Sequence, residues 1–121
     1  MKLRLHHLAL RTNDVAGLAR FYREMFGFEV VKSALPRAIW MCIGNEAVLM
    51  VEKREAGEPE YPKGSMEMIA FAVDEAGKTR IRLKSRERGC YDGETEYTVY
   101  LRDPEGRRVG VSTYDLVAAT K

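Results

Sequence analysis

The chain has 121 residues, enough for one domain with a real core and no need of disulfide or metal staples. Hydrophobic residues make up 45% and charged residues 31%, which excludes a disordered chain. The formal net charge of +2 is too small to point to nucleic acid as a partner. Cys42 and Cys90 share no motif spacing and read as free or buried thiols rather than a disulfide. Met1-Lys2-Leu3-Arg4 runs into alternating rather than continuous hydrophobicity, and no segment reaches bilayer-spanning length. The expectation is a cytoplasmic protein without membrane contact.

Leu3–Thr12 alternates as a strand, with Leu8 and Leu10 on one face and His7, Ala9 and Arg11 on the other. Asn13-Asp14 offers a helix N-cap and Gly27 a left-handed stop. Between them Val15, Leu18, Tyr22, Met25 and Phe26 form one apolar stripe at three- and four-residue steps. Phe28–Ala34 and Arg37–Ile43 read as strands joined near Pro36, Gly44-Asn45 as a turn, and Ala47–Glu52 as a fourth strand. Lys53–Ser65 is charged and holds Gly57, Pro59, Pro62 and Gly64, the composition of a linker.

The order then repeats. Met68-Ile69-Ala70-Phe71 mirrors His7-Leu8-Ala9-Leu10, inside a strand expected at Met66–Val73. Asp74 starts a helix running to about Arg88 and closed by Gly89, with Ala76, Thr79, Leu83 and Glu87 on one face. The basic residues bunched at Lys78–Arg88 read as a solvated helix face. A short strand or loop at Cys90–Gly93 leads to a strand at Glu96–Arg102. Asp103-Pro104-Glu105-Gly106 has the residues of a type I turn in order, and Arg107–Tyr114 is the last strand. The expected class is α+β: two tandem βαβββ half-domains whose curled mixed sheets form a cleft. The expected division is a half-module at 1–54, a linker at 55–65, a half-module at 66–115 and a tail at 116–121.

His7-Leu8-Ala9-Leu10 with Asn13-Asp14, Phe21-Tyr22, Phe26-Gly27-Phe28, Met68-Ile69-Ala70-Phe71-Ala72-Val73 and Asp103-Pro104-Glu105-Gly106-Arg107-Arg108-Val109 together carry a family likeness. The chain resembles the vicinal oxygen chelate superfamily, which comprises glyoxalases, bleomycin resistance proteins and extradiol dioxygenases. That resemblance implies the repeated fold over nearly the whole chain, but no one activity. In metal-using members one divalent ion is held from four inward strand positions. Carried over, those positions fall on His7, Met50, Met68 and Gly110, so three of the four lack the usual donor. Glu52, two residues after Met50, points to the same face. Divalent ions of the usual kinds want nitrogen and oxygen donors and about three protein ligands, so the resemblance implies loss of the usual metal site.

His7 is open to three roles: metal ligand, general base, or hydrogen-bonding pocket wall, the last favoured. Glu52 is either a displaced carboxylate or a solvated strand end. Met50 and Met68 read as apolar wall rather than a soft copper site. Trp40 alternates with Ile39 and Met41 and is expected in the cleft, with Tyr100 in the same phase; both suit flat or apolar ligands. Arg11, Arg102 and Arg108 share the inward phase and form either an anion clamp or a solvated surface. The expected site is therefore His7, Trp40, Met50, Met68, Tyr100, Arg102 and Arg108, with Gly110 opening space. The expected function is small-molecule binding in the cleft of a homodimeric protein, with no cofactor. The alternative is a lyase or isomerase using His7 and Glu52 as catalytic pair, with or without a weakly held divalent metal.

Overall fold

The computed structural model describes residues 1–116, and these divide into two compact units, with the boundary between Tyr61 and Pro62. Unit 1 runs β1 (His7–Thr12), α1 (Val15–Phe26), β2 (Glu29–Ala34), β3 (Ala38–Ile43) and β4 (Ala47–Lys53). Unit 2 runs β5 (Met68–Ala72), α2 (Glu75–Glu87), β6 (Tyr91–Glu94), β7 (Thr98–Arg102) and β8 (Arg108–Ser112). Their sheets have orders β1-β4-β3-β2 and β5-β8-β7-β6, with the first pair parallel and the rest antiparallel. The class is thus α+β with two βαβββ units, and His7 and Met68 open equivalent strands. The tail expected at 116–121 lies outside the described residues beyond Leu116.

The expected first strand is shorter in the structure because its partner runs out. β4 begins at Ala47, and Val48 N–H to the His6 carbonyl closes the ladder, so Leu3 and Leu5 extend beyond it, exposed.

Both helices start the same way. Asp14 accepts from Gly17 N–H and Asp74 from Gly77 N–H, each a carboxylate over the first turn. The glycine leaves room for the cap: a Cβ on Gly17 would crowd the Asp14 carboxylate, and one on Gly77 would crowd Val73 Cγ2, so those side chains would have to shift. Gly27, at φ 72°, ends α1 with its N–H on the Arg23 carbonyl.

α1 buries Val15, Leu18, Ala19, Phe21, Tyr22 and Met25 against Leu10, Ile39, Met41, Leu49 and Val51. Each large apolar side chain there contributes roughly 1.5–3 kcal/mol. α2 departs from expectation. Its buried residues are Lys78, Ile81 and Ser85, while Leu83 is 61% exposed. The helix is too polar for hydrophobicity to mark its inner face. Lys78 lays its stem inward and carries its ammonium out to the Glu96 carbonyl at 3.1 Å and Glu75 at 3.4 Å. Val99, Leu101, Val109 and Val111 supply the sheet side of this core.

Candidate functional site

With one face of each sheet covered by its helix, the alternation of the strands delivers every second residue to the other face. In unit 1 the register sets Ala9 opposite Met50 and Met50 opposite Trp40, with Lys32 next in the row. Ile39 and Met41 are buried under α1, and Trp40 faces away from them beneath Lys32, whose Nζ is 4.7 Å from its ring centroid. A cavity of about 300 Å³ opens here, walled by Trp40 and Met50 and rimmed by Arg11, Arg37, Glu52 and Lys53.

Arg11 stands at one end of this cavity, tied to two carboxylates. Its Nη2 donates to Glu58 at 2.7 Å, its Nε donates to the same carboxylate, and its Nη1 lies 3.1 Å from Glu52. Hydrogen bonding from Arg11 holds the Glu58 carboxyl at about 2, well below the usual 4.5. Glu58 was not an expected site residue; no local motif marks it, because only the folded-back connection brings it to Arg11.

His7 and Glu52, the expected catalytic pair, are not brought together. His7 lies opposite Val48 and Glu52 opposite Arg11, four residues along the strands, or roughly 13 Å. His7 is exposed, and its Nδ1 is 2.8 Å from that of His6.

Unit 2 repeats the row with different contents: Ala70 opposite Gly110 and Gly110 opposite Tyr100. Gly110 does not open the space expected of it. A Cβ built there would lie 2.6 Å from Met68 Cε, 3.2 Å from Thr98 Cγ2 and 3.4 Å from the Val99 carbonyl oxygen. The flexible thioether of Met68 has taken the room that the missing side chain leaves. Tyr100 carries a cation on its ring, the Arg108 guanidinium carbon being 3.8 Å from the ring centroid. Asp92, another residue absent from the expected site, accepts from Arg102 Nε at 3.0 Å and Arg108 Nε at 3.3 Å. A bulge between Tyr91 and Glu94 in β6 masks the alternation that would have placed Asp92 on this face.

Among the described residues, no group of three or more His, Cys, Asp or Glu could hold a metal ion, and Cys42 and Cys90 are free thiols. No helix among them is long and apolar enough to cross a membrane.

Comparison with known proteins agrees with this architecture. A virulence protein of Salmonella typhimurium is 23% identical over 92% of this chain and 84% of its own length. A possible glyoxalase from Bacillus cereus superposes with a TM-score of 0.76 at 23% identity, covering 92% of this chain and 99% of that one. A mutant fosfomycin resistance protein, FosX, from Listeria monocytogenes, solved with Mn(II) and 1S,2S-dihydroxypropylphosphonic acid, gives 0.80 at 14% identity, covering 100% of both chains. At such identities these structures speak to the fold alone. The family model for the Glyoxalase/Bleomycin resistance protein/Dioxygenase superfamily matches residues 4–111, nearly the whole chain, and the chain therefore belongs to that superfamily.

Proposed function

We propose that this chain is a small-molecule-binding member of the superfamily that works without a resident divalent metal. The observation carrying this reading is the Met68 methyl lying where a side chain on Gly110 would project. The resemblance assigns the metal-ligand positions to His7, Met50, Met68 and Gly110. One imidazole, two thioethers and a bare backbone do not fit a hard dication, which wants nitrogen and oxygen donors. Glu52 is a poor substitute, since Arg11 already holds it at 3.1 Å. An acid–base pair of His7 and Glu52 has little support either, with the two placed four residues apart along neighbouring strands. What the face of unit 1 offers is an aromatic and thioether wall beside a cavity of about 300 Å³, of a size for a small molecule.

Trp40 is the single tryptophan, so its fluorescence reports on that wall directly. Titration with neutral aromatic amides such as benzamide should give a saturable change in its emission, unaltered by EDTA. Protein purified without chelator should hold far less than one equivalent of Zn²⁺, Ni²⁺, Fe²⁺ or Mn²⁺. Tight one-to-one Zn²⁺ or Ni²⁺ binding abolished by His7→Ala would overturn the reading in favour of a metal-dependent lyase or isomerase.

The assembly we propose is a homodimer. Val30 and Val31 on edge strand β2 are 40% and 58% exposed, and an apolar strand edge invites pairing. Light scattering at micromolar concentration should give twice the chain mass.

A further inference from the structure

Beyond the binding reading above, we infer that Arg108 is an anion-receiving group on the helix-free face of unit 2, and that it takes a small organic carboxylate with an apolar or aromatic body. Three arginines stand on the helix-free faces, and their surroundings separate them. Arg11 is met by two carboxylates, Glu52 and Glu58. Arg102 is bound at both ends: Nε to Asp92, and Nη1 to the carbonyls of Ser65 at 2.8 Å and Gly106 at 3.2 Å, with Nη2 3.8 Å from Met66 Sδ. Arg108 donates through Nε alone, to Asp92. Its terminal fork, Nη1 and Nη2, has no hydrogen-bond acceptor among the described residues.

That fork is nevertheless held in place. Asp92 fixes its Nε, the Tyr100 ring supports the guanidinium at 3.8 Å, and the side chain is only 15% exposed. A guanidinium positioned in advance offers two parallel donors that match the two oxygens of a carboxylate and loses little freedom on binding. Charge selects the valence. Arg102 and Arg108 share the one carboxylate of Asp92, so the cluster carries one surplus positive charge. A monoanion neutralises that surplus and a dianion overshoots it. The neighbours select the body: the Tyr100 ring lies against the guanidinium, and Met68, in register with Arg108 on the adjoining strand, is 37% exposed, so the surroundings offer aromatic and thioether surface.

The test uses the whole chain with benzoate, phenylphosphonate as its dianion, and benzamide, read by calorimetry and by the arginine Nε–Hε resonances. Benzoate should shift the Arg108 resonance saturably, phenylphosphonate should bind no more tightly, and benzamide should leave that resonance in place. Arg108→Gln should weaken benzoate by about tenfold to a hundredfold, as loss of a charge-assisted bond predicts. Arg108→Lys, which keeps the charge without the fork, should fall between. Unchanged benzoate affinity in Arg108→Gln, tighter binding of phenylphosphonate, or a stationary Arg108 resonance in the unmodified protein would each overturn the assignment. The last readout decides the matter should Arg108→Gln fail to fold. A saturable Trp40 response to benzamide alongside a stationary Arg108 resonance removes this inference and leaves the binding reading standing. A silent Trp40 with a shifting Arg108 resonance does the reverse.

Discussion

Unit 1 buries six side chains of its helix, among them Leu18, Tyr22 and Met25, whereas unit 2 buries only Lys78, Ile81 and Ser85 from a helix of similar length. Strand order, parallel pairing and Asp-capped helix starts are the same in both. The repeat therefore resides in backbone-directing signals rather than in a duplicated core. The helix-free faces diverge in parallel fashion. Trp40 under Lys32, beside an open Met50, corresponds to Tyr100 under Arg108, beside a Gly110 that Met68 has filled. The unit 1 face holds a cavity beside its aromatic ring, and the unit 2 face holds a guanidinium stacked on its ring.

If α1 is the better anchored helix, Leu18→Ala should destabilise the protein by about 2–5 kcal/mol, while Ser85→Ala should stay within about 1 kcal/mol. Hydrogen exchange should open α2 amides before those of α1; equal protection would break the contrast.

The two register counterparts should also respond unequally to a carboxylate. Gly110→Glu must displace Met68 and bury a charge, at a cost of about 2–4 kcal/mol in denaturant unfolding. Adding Met68→Ala should recover at least about 1 kcal/mol by vacating the space. Met50→Glu opens onto the unit 1 cavity and should cost under about 1.5 kcal/mol. Equal costs at 50 and 110 would mean that the filling of Gly110 is unimportant.

The helix caps test what the units share. Asp14→Ala and Asp74→Ala should each cost about 1 kcal/mol, with fraying more visible in the weakly packed α2.

The smallest effect concerns acid. Hydrogen bonding from Arg11 holds Glu58 at about 2, and from Arg82 holds Glu94 at about 2, both from the usual 4.5. Depressed carboxylates stabilise fully above the unfolded value, and that contribution is lost as pH falls from 4.5 through 2. Carboxyl titration by NMR should place both near 2, and Glu58→Gln with Glu94→Gln should flatten the stability loss across that window. A midpoint near 4.5 for either one would show that its ion pair does not persist in solution.

Local chemistry was enough to read the two-unit architecture from the chain: Asp14 and Asp74 cap, Gly27 stops, and strand phase sets Trp40 apart from Ile39 and Met41. Each of these acts within a few residues and so leaves a mark in sequence. Contacts between distant segments leave none. Only the tertiary structure could put the Met68 methyl into the space at Gly110, bring Glu58 back to Arg11, or hang two arginines on Asp92. It also turned α2 onto Lys78 and Ile81, because burial there followed the geometry of packing on β7 and β8 and not the helix's own scant hydrophobicity. Strand phase placed each arginine on the helix-free face of its own sheet. Which of them was left with an open fork depended on the carboxylates and carbonyls that folding carried to each.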